Sequence, residues 1–428
     1  MTVRAITPAA GPVRGRIRPP GSRSVTNRAL IVSALAEGES VLEAVGVSAD
    51  TRVCAEALSS LGIAVVVDEA ARRMTVAGCG RAVPPGPRDL YTAESGTATR
   101  FVTALAAAGQ GRYRIDGAPR MRERPIQDLL DGLVALGVRA QSEAGTGCPP
   151  VVLQTAGLLG GTVALCGAVS SQYLSALLMA APAAGGPVTI EVAGELVSKP
   201  FVDMTLAVMA AFGAEVERQT YARFRIAAPV RYPGRTYPVE PDAASASYFL
   251  AAAAATGGEV TVEGLTRTSV QGAAGFADVL ARMGCSVAWT DAGVTVSGPD
   301  HLTGLHIDMN AMPDMVLTLA PLAVLARGRT VIENVANLRV KECDRLSALA
   351  TELGRLGAGV EEHPDGLSIT PPPEVQPAEI ATYNDHRMAM GMAVVGLAAE
   401  GIRIADPACV GKTYPGFFED LERLAGTG

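Results

Sequence analysis

The 428-residue sequence has few histidines, no long uninterrupted apolar run and no excess of positive charge. Its four histidines show no metal-ligand spacing, which argues against a metal site. A net charge of −7 argues against a general nucleic-acid-binding protein, which needs a basic face. The most apolar runs are broken by glycine, proline and polar residues well short of a membrane span, so no membrane partner is expected.

The seven cysteines lack paired spacing and are expected to be free, buried thiols. Free thiols indicate a reducing compartment. The opening stretch also lacks the apolar core of a signal peptide. We therefore expect a cytoplasmic protein.

One pattern recurs six times along the chain: an amphipathic helical segment, a glycine, and a short alternating strand. A glycine after a helix accepts the left-handed conformation that ends the helix. The repeat glycines are 69 to 76 residues apart, a near-constant period that indicates a repeated supersecondary unit, and they are Gly62, Gly137, Gly213, Gly284, Gly357 and Gly426.

Six such units divide most naturally into two domains of three. Proline-rich stretches near residues 20 and 240 are the expected crossings between the domains. This predicts one discontinuous domain from residues 1–20 and 241–428, and a second domain from residues 21–240. A ligand is expected in the cleft between two such domains.

Cationic residues accumulate in Gly-, Ser- or Pro-rich loops and at expected helix starts. A cation at a helix start opposes the helix dipole, so structure alone would not place it there. Taken singly, each is more often a surface charge. Together they predict a site for ligands with several negative charges, and they are Arg23, Arg28, Arg100, Arg120, Arg122, Arg124, Lys199, Lys341, Arg345, Arg387 and Lys412.

Acid–base candidates lie beside these cations. Asp314, Glu342 and His386 are able to move protons. A carboxylate among cations often makes only a salt bridge, however, and a histidine at a helix start could simply cap the helix. Another expected helix opens with hydroxyl and amide groups at Ser170, Ser171 and Gln172. An ordinary N-cap would explain one of these serines and not the glutamine.

The combination resembles the 5-enolpyruvylshikimate-3-phosphate synthase family (3-phosphoshikimate 1-carboxyvinyltransferases) over about residues 5–424. The stretches that carry the resemblance are PGSRSVTNRAL, SGTATR, PRMRERPI, VSSQYLSALL, VSKPF, RVKECDRL, YNDHRMAM and KTYPGFF. It implies an α/β protein with the enolpyruvyl transferase fold, in which two inverse α/β prisms each contain three βαβαββ units.

The resemblance also implies transfer of the enolpyruvyl group of phosphoenolpyruvate to the 5-hydroxyl of shikimate 3-phosphate, with release of phosphate. These small-molecule substrates would be the partners of a monomer that needs no metal and no cofactor. Proton transfer would fall to Asp314, Glu342, Lys412 and His386. Shikimate 3-phosphate would be bound by Arg23, Ser24, Arg28, Ser170, Ser171, Gln172, Ser198, Asp314, Asn337 and Lys341. Phosphoenolpyruvate would be bound by Arg23, Glu94, Gly96, Thr97, Arg124, Gln172, Arg345, Arg387 and Lys412.

Three positions depart from the family pattern. Arg23 replaces a lysine, Glu94 an asparagine and Phe201 a tyrosine, and the first two fall where the family binds phosphoenolpyruvate. In one account Arg23 and Glu94 pair with each other, so that an ordinary synthase keeps its local charge balance.

In the alternative, the Arg23–Glu94 pair fills the phosphoenolpyruvate pocket of a diverged paralogue. Such a protein would eliminate phosphate from shikimate 3-phosphate or a related cyclitol phosphate, or would use another donor or acceptor. A third reading, an inactive binding protein, is disfavoured by the retained Asp314, Glu342 and Lys412.

Overall fold

The computed structural model describes residues 2–426, which form two compact units. Unit 1 combines the residues up to Pro20 with those from Glu240 onward, and unit 2 runs from Gly21 to Val239. The chain therefore passes from one unit to the other twice.

The strands follow one another along the chain in the order β1 Val3–Ala5, β2 Arg14–Ile17, β3 Ala36–Glu43, β4 Val65–Asp68, β5 Arg73–Cys79, β6 Arg88–Tyr91, β7 Gln110–Asp116, β8 Arg139–Ser142, β9 Val151–Ala156, β10 Gly161–Cys166, β11 Val188–Ala193, β12 Glu217–Gln219, β13 Arg223–Ile226, β14 Tyr232–Pro233, β15 Thr236–Pro238, β16 Glu259–Glu263, β17 Ser286–Thr290, β18 Gly293–Ser297, β19 His306–Asp308, β20 Thr330–Glu333, β21 Gly359–His363, β22 Gly366–Thr370, β23 Ala378–Ile380 and β24 Ile402–Ala405. The α-helices between and after them are α1 Arg23–Ala34, α2 Ala49–Leu61, α3 Gly96–Ala107, α4 Gln127–Ala135, α5 Ser171–Ala180, α6 Lys199–Ala211, α7 Ala243–Thr256, α8 Phe276–Arg282, α9 Val316–Val324, α10 Arg345–Arg355, α11 His386–Ala398 and α12 Phe417–Ala425.

Unit 2 contains three sheets, two of which are complete βαβαββ copies. The copies are β6–α3–β7–α4–β8–β9 and β10–α5–β11–α6–β12–β13. In each, the first two strands are parallel and the final hairpin adds antiparallel strands. The third copy consists of α1–β3–α2–β4–β5, and β14 and β15 take the place of its first strand, parallel to β3.

Unit 1 also contains three sheets. The copy β19–α9–β20–α10–β21–β22 is complete. In the copy α7–β16–α8–β17–β18, the first strand is β2, which pairs in parallel with β16. In the last copy, β23–α11–β24–α12, the antiparallel partner of β24 is β1. The predicted fold of six copies, three per unit, is confirmed, although within residues 2–426 the last sheet has three strands instead of four. Some strands come from elsewhere in the sequence because the chain leaves unit 1 after Pro20 and returns to it at Glu240.

The six repeat glycines behave as their pattern predicted. Each follows the end of an even-numbered helix by one or two residues, and all six have φ between 67° and 106°. A side chain in this left-handed region would strain the backbone, so glycine is the residue that lets the helix stop and the next strand begin.

The first helix of each copy is buried on nearly all sides, whereas the second keeps a polar face. In unit 2 the buried helices α1, α3 and α5 pack against one another, and α7, α9 and α11 do so in unit 1. An apolar helix interior cannot hold charges without partners, so the charged residues of these helices collect at their starts. Four of the predicted site residues lie at such starts, and they are Arg23, Gly96, Ser170 and His386.

All seven cysteines are free thiols, as predicted, but the expectation that they are buried holds only for Cys54 and Cys285, and Cys166 is exposed. Within residues 2–426, no helix combines the length and the apolar character needed to cross a membrane.

Candidate active site

The first residue of α1, Arg23, pairs with a buried aspartate that the sequence did not reveal. Its Nη1 lies 3.0 Å from Oδ2 of Asp50, in the first turn of α2, and Asn27 donates to the same oxygen at 3.3 Å. Asp50 is 3% exposed. The expected pairing of Arg23 with Glu94 is therefore wrong, because the packing of α2 against α1 brings a different carboxylate to this guanidinium.

Arg28 uses all three of its nitrogen atoms to tie α1 to its neighbours. Nε donates to Oγ1 of Thr205 at 2.7 Å, Nη1 to the carbonyl of Ser24 at 2.9 Å, and Nη2 to the carbonyl of Phe201 at 3.1 Å. Its guanidinium also lies 5.2 Å from the ring centre of Phe101. Burial lowers the pKa of Arg28 to about 9, which still leaves a cation at neutral pH.

Two further buried guanidiniums, those of Arg100 and Arg124, lie at the start of α3. Arg100 donates to the carbonyl of Gly96 at 3.0 Å and to that of Pro125 at 2.6 Å. Arg124 donates to the sulfur of Met121 at 3.9 Å. Among residues 2–426, the Nε of each is buried without a hydrogen-bond partner, and neither guanidinium makes an ion pair. Burial and then the charge of Arg124 lower the pKa of Arg100 to about 10.

Gly96, the first residue of α3, leaves the space that this pair needs. A Cβ built on Gly96 would lie 2.7 Å from both Nη atoms of Arg124 and 2.8 Å from Nη1 of Arg100. Free N–H groups of the first helical turn together with guanidiniums that lack a carboxylate form an anion-binding arrangement. The structure thus brings the predicted residues Gly96 and Arg124 together.

The remaining predicted residues of unit 2 also lie at helix starts. Gln172 donates to Oγ1 of Thr97 at 3.3 Å, which links α5 to α3, and Ser170 caps α5. Ser198 immediately precedes α6 in a left-handed conformation with φ of 56°. Glu94 is half-buried and comes directly before the residue that caps α3.

In unit 1 the charged residues predicted from the sequence, together with Asp385, form one connected network of charges. Its cations are Lys341, Arg345, Arg387 and Lys412, and its carboxylates are Asp314, Glu342 and Asp385. Arg345, which is 1% exposed, is the centre of the network. It contacts Asp314 at 2.9 Å, Asp385 at 2.7 Å and Glu342 at 3.0 Å.

The other cations attach to the two carboxylates predicted to move protons. Nζ of Lys412 lies 3.0 Å from Oε1 of Glu342. Nη2 of Arg387 lies 3.2 Å from Oδ2 of Asp314, and Nζ of Lys341 is 4.0 Å from the other Asp314 oxygen. A further carboxylate, that of Asp242, also acts on Arg387, so each cation of the network is held near negative charge.

The electrostatics of this network shift the pKa values of both Asp314 and Arg345. Burial alone would raise the pKa of Asp314, but the charges of Arg387, Lys341 and Arg345 outweigh burial and hold this pKa well below its usual range. Burial alone would likewise lower the pKa of Arg345, yet Asp385, Glu342 and Asp314 hold it well above the ordinary value. Asp314 is therefore a carboxylate at neutral pH, able to accept a proton or a hydrogen bond.

His386 and Asn337 occupy the edges of the network. His386 is the first residue of α11 and is fully buried, with Nδ1 3.6 Å from Oδ1 of Asp385. Asn337 lies in the 3₁₀ turn Ala336–Val340, just before Lys341. The sequence analysis did not single out Asp385, although an aspartate directly before a helix start is a common N-cap. Here its carboxylate accepts a hydrogen bond from the N–H of Arg387 at 2.9 Å. Proton transfer by His386 stays a prediction.

Comparison with known proteins agrees with this arrangement. A model of the family described as EPSP synthase (3-phosphoshikimate 1-carboxyvinyltransferase) matches residues 8–421. The chloroplastic 3-phosphoshikimate 1-carboxyvinyltransferase of Arabidopsis thaliana is 48% identical over 430 residues, which cover 96% of this chain and 82% of the relative. The Shewanella baltica protein of that name is 46% identical over 417 residues, 97% of each chain. The solved structure of EPSP synthase from Acinetobacter baumannii matches with a TM-score of 0.82 at 25% identity, covering 99% of this chain and 98% of that one.

Six βαβαββ copies in two units of three, with clustered cations at the starts of buried helices, define a protein of the enolpyruvyl transferase fold. The match to the family model and the relatives that align over almost the whole chain identify one family within this fold class. The chain belongs to the EPSP synthase family.

Proposed function

We propose that this protein transfers the enolpyruvyl group of phosphoenolpyruvate to the 5-hydroxyl of shikimate 3-phosphate and releases phosphate. The observation that most supports this proposal is the pair of buried guanidiniums at the start of α3, those of Arg100 and Arg124. Among residues 2–426, neither has a carboxylate as an ion-pair partner. Relatives with 46 to 48% identity over almost the whole chain bear the name of this activity.

The reaction needs proton transfers and charge stabilisation at fixed positions. A proton adds to the methylene carbon of phosphoenolpyruvate, and the 5-oxygen of the acceptor, as its proton leaves, bonds to the adjacent carbon. The bond from that carbon to the phosphate oxygen then breaks, and loss of a methyl proton restores the double bond. Positioned acids and bases each contribute about 10²–10⁴-fold to such steps.

The unit 1 network supplies groups suited to these proton transfers. Asp314 is ionised and would accept the hydroxyl proton. Lys412 and Glu342 are 3.0 Å apart and would exchange a proton with the methylene carbon. Arg345 and Arg387 orient Asp314 and would offset the charge of phosphoenolpyruvate.

In unit 2, Arg124 and Thr97 would bind phosphoenolpyruvate, with Gly96 keeping the space open. The residues proposed for shikimate 3-phosphate here are Ser24, Arg28, Ser170, Ser171, Gln172 and Ser198. Each nitrogen of Arg28 already donates one hydrogen bond within the protein. The second N–H groups of Nη1 and Nη2 would donate to the ligand. In unit 1, Asn337 and Lys341 complete the set. Location of the active site between the domains stays a prediction, as do the monomeric state and the cytoplasmic location.

The departures from the family pattern fit an ordinary synthase. Arg23 keeps the positive charge of the family's lysine and pairs with Asp50, a different carboxylate from the one expected. The alternative of phosphate elimination by a diverged paralogue has no support from the relatives named above, which are called transferases.

The deciding experiment incubates the protein with shikimate 3-phosphate, with and without phosphoenolpyruvate, and follows phosphate and the organic product by NMR. Phosphate and an enolpyruvyl ether are expected only when phosphoenolpyruvate is present. Phosphate release without it, together with a new diene in the ring, would overturn the proposal. Asp314→Asn should lose turnover, whereas the matched change Asp308→Asn, at an exposed aspartate of the same unit, should retain it.

A further inference from the structure

Helix α10 contains a buried carboxylate that the proposed chemistry does not use. Glu352 is 0% exposed. Its Oε2 accepts a hydrogen bond from the N–H of Ala381 at 3.1 Å, and its Oε1 accepts one from the hydroxyl of Tyr383 at 2.8 Å. The cation Arg355, whose side chain is 54% exposed, lies 3.5 Å from Oε2. A buried carboxylate with two bonds to one short segment fixes that segment in place.

The segment that Glu352 binds contains a tight turn, Thr382 to Asp385. The N–H of Asp385 donates to the carbonyl of Thr382 at 2.8 Å, and the two central residues, Tyr383 and Asn384, have φ of 55° and 54°. Two consecutive left-handed residues are typical of a type I′ turn, which favours glycine, asparagine or aspartate. A tyrosine at the first central position is strained, so neighbouring contacts must hold it there.

This turn leads directly into the charge network of unit 1. Its last residue, Asp385, contacts Arg345 at 2.7 Å and caps α11 through the N–H of Arg387. The side chain of Arg387 in turn lies 3.2 Å from Asp314. A shift of the turn would therefore move Asp385 and the start of α11 together, and with them the partners of Asp314.

One face of α10 holds this segment at two places. Arg345 and Glu352 are seven residues apart, which is close to two helical turns, so both project from the same side of the helix. Arg345 binds the end of the turn at Asp385, and Glu352 binds its beginning at Ala381 and Tyr383.

We propose that Glu352 is a positioning residue for the transfer reaction. It holds the Thr382–Asp385 turn in its strained conformation and thereby sets where Asp385 and Arg387 stand relative to Asp314. The inference rests on the proposed function. Burial and then the carboxylate of Glu352 raise the pKa of Tyr383 to about 12, so the phenol keeps the proton that it donates at neutral pH.

The test compares Glu352→Ala, Glu352→Gln and Tyr383→Phe with the control Arg355→Ala, which removes the neighbouring cation and keeps both bonds to the segment. For each variant, kcat, the KM of both substrates and the thermal midpoint are measured. Tyr383→Phe loses one hydrogen bond, so kcat/KM should fall on the order of fivefold, and Glu352→Ala should lose more. Glu352→Gln should stay close to wild type, because its amide oxygen accepts from Ala381 while its NH₂ donates to the tyrosine oxygen. The control should equal wild type in kcat and in the KM of both substrates, although loss of the cation beside buried Glu352 should lower its thermal midpoint.

Kinetic constants equal to wild type in a folded Tyr383→Phe protein would overturn the proposal, even if Glu352→Ala proves too unstable to purify. Failure of the proposed function is recognised separately, because the wild-type protein would then show no transfer. In that case, amide hydrogen exchange over residues 381–388 still tests whether Glu352 holds the turn in place. Faster exchange in Tyr383→Phe than in Arg355→Ala is expected, and equal exchange would refute the positioning role.

Discussion

Nη1 of Arg23 lies 3.0 Å from Oδ2 of Asp50, so the arginine that replaces the family's usual lysine has a buried counter-ion of its own. The side chain of Arg23 is 16% exposed and that of Asp50 is 2% exposed. A planar guanidinium can bind this carboxylate and still present N–H groups elsewhere, which a single ammonium does less well. The substitution therefore changes the shape of the donor and preserves the balance of charge.

Removing the charge of Asp50 should destabilise unit 2. Asp50→Asn leaves Arg23 without its counter-ion, and we expect the free energy of unfolding to fall by about 1–3 kcal/mol. Urea denaturation measures this change. As a control, Glu361→Gln removes the partner of Arg329 in an exposed pair and should leave the midpoint nearly unchanged. Equal midpoints for Asp50→Asn and wild type would contradict the expectation.

Adding one methyl group at Gly96 should weaken phosphoenolpyruvate binding. The new Cβ would meet both Nη atoms of Arg124 at 2.7 Å, and because these atoms end a flexible side chain, the guanidinium would move. We expect the KM for phosphoenolpyruvate to rise on the order of tenfold, the equivalent of about 1.4 kcal/mol. Steady-state kinetics with varied phosphoenolpyruvate measure it.

The matched control for Gly96→Ala is Gly354→Ala, in which the same methyl group enters a helix with open space around it. Alanine there should raise stability slightly and leave the KM unchanged. An unaltered KM in Gly96→Ala would show that Arg124 does not take part in binding.

Arg124 should link ligand binding to stability. Because its guanidinium is buried without an ion pair among residues 2–426, an anion that supplies the missing charge should stabilise the folded protein. A ligand at a hundredfold excess over its Kd contributes about 2.7 kcal/mol. Phosphoenolpyruvate with shikimate 3-phosphate should therefore raise the thermal midpoint of wild type and of the exposed control Arg139→Met. A similar rise in Arg124→Met would count against this role.

Asp314 should make the free energy of unfolding depend on pH. Its folded-state pKa is held well below the unfolded value of about 3.9, so its contribution to stability is full above that pH. The contribution is lost as the pH falls from the unfolded towards the folded pKa. Asp314→Asn should therefore differ from wild type more at pH 7 than at pH 3 when urea midpoints are compared. A difference that does not change with pH would show that the carboxylate has an ordinary pKa in the folded protein.

The repeated copies could be predicted from the sequence because the end of a helix before a strand needs a local signal. That signal is a glycine in the left-handed conformation, such as Gly62. The positions of the clustered cations could also be predicted, since a charge at the start of an apolar helix can be read from the order of residues. The carboxylates that pair with these cations could not be predicted in this way. Asp50 reaches Arg23 through the packing of α2 against α1, and Glu352 reaches Tyr383 because α10 lies beside the turn that precedes α11. No local sequence pattern encodes either contact.

The exchange of strands between chain segments also sets an order of events during synthesis. Unit 2 is contiguous, so all of its sheets can form once Pro238 has emerged. By contrast, β2 must wait for β16, and β1 finds its partner β24 only after about 400 further residues have been made. At about 5–20 residues per second, β1 stays unpaired for roughly 20–80 seconds. The segment that contains β1 and β2 therefore stays without its strand partners until the later residues of its unit have been translated.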